Sequence, residues 1–523
     1  MAFRIASTGA QQDNSTLILP SLPEFQSGPD DPIQIWRQGP GCETGPLFPH
    51  PVNRDTVYGS CKGQFSRLNL HTGQEKQYWV GGQSLYGNPG KDLQYRFQRV
   101  SPMEVSPNDK RTLYYGSQYV HRSRDEGVTW DRISPDLTWN PPDRQQNSSG
   151  EPITIDVTGE EYYSTLYAIR EAVRETGVIW TGANDGPFHV TRDGGTSWTN
   201  VTPKALGPGG RVQNIEPSPH RKGSAYYAVL RYQLGDFRPY AYRTDDYGAT
   251  WTLLTTGENG IPADHPVRVV REDPAREGLL YAGTEFGMFV SFDNGGRWQP
   301  LQLNLPNTPI TDAKVEQGDL VISTQGRGFW VLDNLSVLRQ QADVIAAKGA
   351  HLYKPRVATR TRYPSRFGGI EGTRAFPSDP TYPPPGAMID YVLRASGPVS
   401  LAVRDASGTV LRRFSSDAAG ERAVEPEQPG MRAPAMELVG TPRLPNAAGH
   451  NRFTWNLELP GPWTADTARS GRNGPMVNPG RYTVEITAGG VTESRPLEVR
   501  LDPRLAADGV TLTGFSFDEL FYR

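Results

Sequence analysis

The sequence predicts an all-β protein in which an Asp-box β-propeller is followed by a β-sandwich. Three observations predict it: a hairpin motif in four copies, short strands rich in aromatic residues, and many turn residues. The chain has 56 glycines and 46 prolines among 523 residues, about a fifth of the total, against an average near 12%. Aromatic residues make up 10% of the chain, enough bulky apolar surface to build a core. Rich turns and many aromatics indicate many short strands.

The hairpin motif has the pattern Ser/Thr-x-Asp-x-Gly-x-x-Trp. Its copies are 123–130, 191–198, 244–251 and 291–298, and successive aspartates lie 68, 53 and 47 residues apart. A period near 50 fits one four-stranded propeller blade. In such a turn the carboxylate accepts backbone N–H groups, the glycine supplies a positive φ, and the tryptophan covers the hairpin. We expect a structural role, because four copies on four blades cannot share one catalytic or calcium site.

Short alternating strands precede each box and recur beyond the boxes. The predicted pairs are 112–116 with 119–123, 178–182 with 188–191, 225–229 with 240–244, and 279–283 with 288–291. Two degenerate blades have pairs at 56–60 with 65–70 and at 319–323 with 329–333. Residues 4–7 through 17–19 supply an incomplete blade. Residues 1–340 are therefore predicted to form one propeller of seven blades.

The second half of the chain has a different pattern. Residues 341–386 end in a Pro-rich stretch and are predicted to be an extended linker. Alternating runs at 389–393, 399–403, 410–414, 451–456, 480–486 and 494–499 predict an immunoglobulin- or fibronectin-like β-sandwich over residues 387–503. Residues 504–523 are the C-terminal tail, and a helix is expected from Gly509 onward.

Composition excludes several classes of protein. The net charge of −3 and the pI near 6.3 exclude a basic nucleic-acid binder. No apolar run reaches the roughly 18 residues of a membrane span, and the N-terminus lacks the apolar core of a secretory signal. Cys42 and Cys61 are too few for a disulfide framework or a four-ligand zinc site. They could form one bridge between strands, but we expect unpaired buried thiols. No metal site or cofactor is predicted.

Several longer strings resemble one bacterial group of proteins. They are Gln11–Asn14, Tyr95–Gln98, Ser117–Ser123, Thr158–Tyr163, Glu216–His220, Asp236–Tyr240, Val267–Pro274 and Leu332–Asn334. The group comprises the large BNR/Asp-box proteins labelled glycosyl hydrolase or sortilin-like (VPS10-type), and the resemblance covers nearly the whole chain. It implies a periplasmic or extracellular location. It also implies a length about twice this one, so the chain corresponds to the C-terminal half and an N-terminal propeller is expected as a partner.

The resemblance implies either hydrolysis of a glycan or binding of a peptide. Tandem-propeller xyloglucanases of this kind place two catalytic aspartates across the cleft between their propellers, and this chain matches neither. Phe3-Arg-Ile-Ala6 resembles the Phe-Arg-Ile-Pro motif of sialidases, but the proline is absent. A sortilin-type propeller implies a face that holds peptides or protein tails.

Candidate site residues lie in the predicted innermost strands and in the loops of one face, where propellers bind ligands. Glycoside hydrolysis needs two carboxylates about 5 to 9.5 Å apart, and the catalytic candidates are Glu43, Glu160 and Glu161. Tyr162 and Trp180 are candidate sugar platforms. The substrate-binding candidates are Arg96, Tyr162, Glu216, Asp236, Arg238, Arg268, Arg271, Glu285 and Arg327. The alternative is that these acids pair with arginines and hold the blades together.

The sequence thus predicts an exported carbohydrate-active or carbohydrate-binding propeller that uses channel carboxylates for glycoside hydrolysis. The alternative is a sortilin-like propeller that binds a peptide or protein without catalysis. Two unpaired carboxylates in an open pocket would favour hydrolysis, whereas acids all paired with arginines would favour binding or a structural role.

Overall fold

The computed structural model describes residues 6–12, 14–20, 37–53, 55–148, 161–347, 349–361, 383–418, 422–424, 437–439, 441–461 and 474–503. These residues divide into two compact units. One contains residues 7–19 and 37–332, and the other is built mainly on residues 333–503. The expected C-terminal helix, the tail 504–523 and most of the Pro-rich stretch lie outside the described residues.

The first unit contains seven antiparallel sheets in the described part of the chain, which are numbered here as blades 1 to 7 in chain order. Blade 1 consists of β1 (Ala6–Gln11), β2 (Ser15–Pro20) and β3 (Arg37–Gln38), and blade 2 of β4 (Leu47–Pro49), β5 (Thr56–Cys61), β6 (Gln64–Asn69) and β7 (Glu75–Trp79). Blade 3 consists of β8 (Met103–Val105), β9 (Leu113–Gly116), β10 (Val120–Ser123) and β11 (Asp131–Arg132), and blade 4 of β12 (Leu166–Glu171), β13 (Ile179–Ala183), β14 (Phe188–Thr191) and β15 (Thr199–Asn200). Blade 5 consists of β16 (Arg211–Pro217), β17 (Ala225–Arg231), β18 (Asp236–Thr244) and β19 (Thr252–Leu253), and blade 6 of β20 (Val267–Glu272), β21 (Leu280–Thr284), β22 (Gly287–Ser291) and β23 (Gln299–Pro300). Blade 7 consists of β24 (Ile310–Glu316), β25 (Asp319–Thr324) and β26 (Phe329–Leu332). Short 3-10 helices lie at Gly90–Asp92, Pro142–Gln145, Lys204–Leu206 and Tyr232–Leu234.

The seven sheets form a closed ring. The first strands of blades 3 to 7 contact one another in succession and so line a central channel. At the other end of the chain, the ring of Phe329 in blade 7 lies directly against Gly9 in blade 1, where a Cβ atom would find no room. The predicted all-β propeller is confirmed.

Each Asp box lies in the turn between the third and fourth strands of its blade. In the first box, Asp125 accepts a hydrogen bond from the Thr129 N–H at 2.9 Å, and Gly127 has a φ of 91°. The tryptophans of the other three boxes reach further than the sequence predicts, because each donates its indole N–H to a carbonyl of the preceding blade. The pairs are Trp198 to Ile133 at 2.9 Å, Trp251 to Val201 at 2.6 Å, and Trp298 to Leu254 at 3.0 Å. The boxes therefore join blades as well as closing hairpins.

The second unit is a two-sheet β-sandwich, as predicted. One sheet has the order β27-β29-β34 and the other β28-β36-β35-β30-β31. The elements are α1 (Ser336–Arg339), α2 (Gln341–Ala346), β27 (His351–Leu352), β28 (Ala358–Arg360), β29 (Ala387–Leu393), β30 (Val399–Arg404), β31 (Val410–Ser415), β32 (Arg422–Val424), β33 (Glu437–Val439), β34 (Gly449–Trp455), β35 (Gly480–Ala488) and β36 (Val491–Leu501). Buried residues of both sheets, such as Ile389, Trp455 and Ile486, form its core. The segment predicted as a linker contributes β27 and β28 to these sheets.

The expectation of free thiols is wrong, because Cys42 and Cys61 form a disulfide. The connection from blade 1 to blade 2 passes over the end of β5, where the Cys42 N–H bonds to the Ser60 carbonyl at 3.3 Å. This brings the two Cα atoms to 5.1 Å, within the range that a disulfide spans. The sequence shows the spacing of the cysteines but not this crossing.

Within the described residues, no helix is long and apolar enough to cross a membrane.

Candidate functional site

One face of the propeller holds most of the predicted site residues. Successive strands of a blade run antiparallel, so the loops between second and third strands leave the same face as the connections to the next blade. We call this the loop face. The Asp boxes lie on the opposite face, because they follow the third strands. Several large apolar side chains on the loop face are exposed, and they are Tyr86, Trp139, Leu234, Phe237, Phe286 and Leu303.

A pocket on the loop face lies between the starts of blades 4 and 5. Its walls are mainly polar, with Leu230 and Leu234 as apolar patches, and the full lining is Gln98, Glu161, Tyr163, Asn184, Gly210, Arg211, Leu230, Arg231, Gln233 and Leu234. Arg211 is the first residue of the innermost strand β16, which positions its side chain at the mouth of the channel. Among the described residues, its buried Nε–H donor has no hydrogen-bond partner.

The Arg211 guanidinium is held in place by aromatic neighbours. It stacks 4.6 Å from the Tyr167 ring and its Nη2 donates to the Tyr232 hydroxyl at 3.4 Å. Burial disfavours its charge, yet its pKa is raised because Tyr167, Tyr232 and Glu161 favour the guanidinium. The pocket therefore contains a positive charge that its aromatic neighbours hold in place.

Two of the three catalytic candidates share one arginine. Arg99 lies 3.9 Å from a Glu43 carboxylate oxygen and 3.5 Å from one of Glu161. Only Glu161 lines the pocket. Glu160 lies outside the described residues. Glu43 and Glu161 thus form one cluster with the Arg99 guanidinium between them.

Arg96, Tyr162 and Trp180 are buried within the propeller. Arg96 bonds to Asp136 at 2.9 Å and to the Ser164 carbonyl at 3.0 Å. The Tyr162 hydroxyl donates to the carbonyls of Leu85 and Asn88 at 2.5 and 2.7 Å. Tyr162 and Trp180 are each 1% exposed, so neither ring offers a face to a sugar. The contacts of Arg96 and Tyr162 anchor loops near the pocket, whereas Trp180 packs against Tyr227 in the core of blades 4 and 5.

Glu216 and Arg271 belong to a chain of charges across the innermost strands. Arg271 lies 2.8 Å from Glu216 and 2.8 Å from Asp312, and Arg170 lies 3.4 Å from Glu104. Burial raises the pKa of Glu104 to about 7 and also raises that of Glu216, although the nearby arginines oppose the rise in both cases. This chain joins blades 3 and 4, and blades 5, 6 and 7.

The remaining candidates are paired on the rim or exposed. Asp236 pairs with Arg231 at 3.2 Å and with Arg238 at 2.9 Å, and its pKa is lowered, chiefly by the hydrogen bonds from Arg238. Arg268 pairs with Glu285 at 2.7 Å. Arg327 is exposed in the turn between β25 and β26. Every predicted acid that the structure describes is therefore paired with an arginine.

Sequence reasoning missed one buried carboxyl near the pocket. Asp185 is 1% exposed and has no salt bridge among the described residues. Its Oδ2 accepts hydrogen bonds from the backbone N–H groups of Trp139 and Asn140 at 2.9 and 3.4 Å. Burial outweighs these bonds and raises its pKa to about 6. It follows the pocket residue Asn184, and its charge adds to the effect of burial in raising the pKa of Tyr163 to about 12.

The described residues hold no cluster of His, Cys, Asp and Glu side chains that could bind a metal ion.

No protein-family profile matches the chain, and no curated protein matches it. Solved structures do. A GH74 xyloglucanase from Xanthomonas campestris aligns with a TM-score of 0.40 and 15% identity over 86% of this chain and 72% of its own. YCF48 from Cyanidioschyzon merolae aligns with a TM-score of 0.38 and 11% identity over 63% of this chain and 96% of its own. At such identities and TM-scores, these similarities assign no activity.

Proposed function

We propose that the propeller binds a carbohydrate on the loop face, with one sugar hydroxyl group entering the pocket between blades 4 and 5. The observation that carries the proposal is the presence in that pocket of an acceptor, the Glu161 carboxylate, beside a donor, the Arg211 guanidinium. The amides of Gln98 and Asn184 complete the wall and are held by hydrogen bonds to Tyr162 and Thr165. Sugar hydroxyls both donate and accept, and a mixed set of this kind satisfies both roles.

Exposed aromatic side chains elsewhere on the loop face support the same proposal. Tyr86, Trp139, Phe237 and Phe286 lie on the loop face and are each more than 40% exposed. An exposed aromatic ring offers a flat apolar surface for the C–H face of a sugar. Four such rings on one face would suit a ligand that extends across several blades. The disulfide favours an oxidising compartment, which supports the proposal that the protein acts outside the cytoplasm.

Binding without hydrolysis is the better supported activity. A glycosidase needs two carboxyl groups that are available to the substrate, whereas Glu43 and Glu161 both lie within ion-pair distance of Arg99. Hydrolysis is the second candidate. The pKa of Asp185 is raised to about 6, but its side chain is 1% exposed and would have to become accessible beside the pocket in order to act on a substrate.

Calorimetric titration with a panel of neutral and acidic oligosaccharides tests the proposal. We expect one class to bind, and Arg211→Met and Glu161→Gln to weaken its affinity at least tenfold, since each removes a charged hydrogen-bonding group. Arg297→Gln, an exposed change in an Asp box on the opposite face, should leave the affinity unchanged. Binding of peptides but of no glycan would contradict the proposal and favour the sortilin-like alternative.

The same panel separates binding from hydrolysis. Release of reducing sugar that falls by about 10² or more in Asp185→Asn would establish the second candidate, because that is the usual contribution of a general acid. Glycan binding with no product release would leave the binding function alone.

A further inference from the structure

A second cavity lies in blade 2, on the face of the propeller that carries the Asp boxes. We call it the blade-2 cavity. Its volume is about 270 Å³, many times the roughly 30 Å³ that one water molecule takes. The loop between β4 and β5 and the turn between β6 and β7 both contribute to its walls, and all seven of its lining residues are polar.

Five of the lining residues form two rows on one side of the blade 2 sheet. In the first row Thr56 of β5 is opposite Asn69 of β6, and the Asn69 N–H bonds to the Gln74 carbonyl across the turn at 2.9 Å. In the second row Arg67 of β6 is opposite Lys76 of β7. Like charges directly opposite each other on neighbouring strands repel. An anion placed between these two side chains would remove that repulsion.

The charge of the blade-2 cavity is positive, because its lining contains two cations and no carboxylate. Arg67 Nη1 lies 2.8 Å from a carboxylate oxygen of Glu126 in the Asp box of blade 3, which offsets one of the two charges. Glu75 lies on the other side of β7, where it accepts the Gly41 N–H at 3.5 Å. Lys76 is exposed and forms no ion pair or hydrogen bond within the described part of the chain. Its charge is therefore the unbalanced one.

The uncharged lining residues supply donors more readily than acceptors. Asn53 Oδ1 accepts a backbone N–H at 3.0 Å, and Asn69 Oδ1 accepts two at 2.9 and 3.0 Å. Thr72 Oγ1 accepts one at 3.3 Å. Because these bonds engage the oxygens, the amide N–H groups of both asparagines and the hydroxyl proton of Thr72 are left to donate. A cavity with this lining suits a ligand that only accepts hydrogen bonds.

We propose that the blade-2 cavity binds a tetrahedral oxyanion, phosphate or sulfate, either free or as the terminal ester of a larger ligand. The anion would lie between Arg67 and Lys76 and accept hydrogen bonds from the β4–β5 loop and the β6–β7 turn. These donors come from separate segments, and a tetrahedral anion has oxygens in more directions than a planar carboxylate. The site lies on the opposite face from the carbohydrate site, so neither depends on the other.

Phosphorus NMR tests the proposal, because the resonance of inorganic phosphate broadens when the ion binds to a large protein. The titration is done at low ionic strength, where surface charges are least screened, and is repeated with a hexose phosphate monoester. We expect a dissociation constant of about 10 mM or tighter. Inorganic sulfate should reverse the broadening, and chloride at the same ionic strength should not. Slower hydrogen exchange at residues 69–76 would locate the bound ion.

Two substitutions of exposed residues should move the affinity in opposite directions. Lys76→Gln should weaken binding at least about fivefold, because it removes the unbalanced charge. Lys222→Gln, at an exposed lysine of blade 5 on the same face, is the matched control and should bind like the wild type. Gln74→Lys adds a cation to the lining and should strengthen binding at least about threefold, a gain that a misfolded protein cannot produce.

Four results would overturn the proposal. They are the absence of broadening with either phosphate compound up to about 20 mM, reversal by chloride as complete as by sulfate, equal affinities of Lys76→Gln and Lys222→Gln, and no gain in Gln74→Lys. Broadening of the hexose phosphate alone, with the expected response to both substitutions, would support the proposal and identify the esterified form as the ligand.

Discussion

Replacement of Asp185 by asparagine should make the propeller more stable at neutral pH, and the gain should vanish in acid. Burial raises the pKa of Asp185 from 3.8 to about 6, so the folded chain holds this proton more tightly than the unfolded chain. As pH rises from about 4 to about 6, the unfolded state ionises first and wild-type stability falls. The shift of roughly two pKa units corresponds to about 3 kcal/mol. Asparagine does not titrate and avoids this loss.

Urea unfolding of both proteins at pH 4, 5, 6 and 7 measures the effect. The asparagine variant also changes its hydrogen bonds, and this part of the stability difference does not vary with pH. The informative quantity is therefore the pH dependence of the difference in unfolding free energy between the variant and the wild type. This difference should grow by about 2 to 3 kcal/mol between pH 4 and pH 7. Asp131→Asn, an exposed change on β11, is the control and should not follow this curve. A difference that stays constant, or grows toward acid, would refute the reasoning.

Three further changes test the contacts that hold the blades. Joint replacement of Cys42 and Cys61 by alanine should lower the free energy of unfolding by about 3 kcal/mol in non-reducing buffer, since the bridge closes a loop of about 20 residues; equal stability of the wild type with and without reductant would argue against this. Arg271→Met should cost about 3 to 5 kcal/mol in urea unfolding, because it leaves Glu216 without its partner, and Glu216→Gln in the same chain should recover part of the loss. Trp251→Phe should cost about 1 kcal/mol through the lost bond to Val201, and thermal melting that matches the wild type would contradict it.

The sequence predicts the blades because the signals for them are local. An Asp box contains its hydroxyl, carboxylate, glycine and tryptophan within eight residues, and the turn that it forms hardly depends on the rest of the chain. The site depends on contacts between blades. Arg99 meets Glu43 and Glu161, and Arg271 meets Glu216, only after the ring has closed. A single sequence shows acids and arginines in abundance without showing which of them pair.

Asp185 and the disulfide escaped prediction for the same reason. Asp185 stands in an Asn-Asp-Gly sequence between two strands, which is typical of an exposed turn, and nothing local indicates that residues 139 and 140 cover it. Cys42 and Cys61 are 19 residues apart, and only the path of the connection over β5 brings them together.

The architecture explains why residues of catalytic type serve structural roles. Each blade is a separate sheet, so the backbone ladders that stabilise a blade do not extend into the next one. Side chains therefore help to join the blades, through indole N–H bonds and ion pairs such as Glu216 with Arg271, beside a few backbone bonds such as that from the Leu166 N–H to the Ser117 carbonyl. A buried carboxylate that satisfies an arginine of the neighbouring blade is not available to a substrate. Ligand chemistry therefore falls to polar groups that reach the pocket of the loop face, and the Glu161 carboxylate and the Arg211 guanidinium are of this kind.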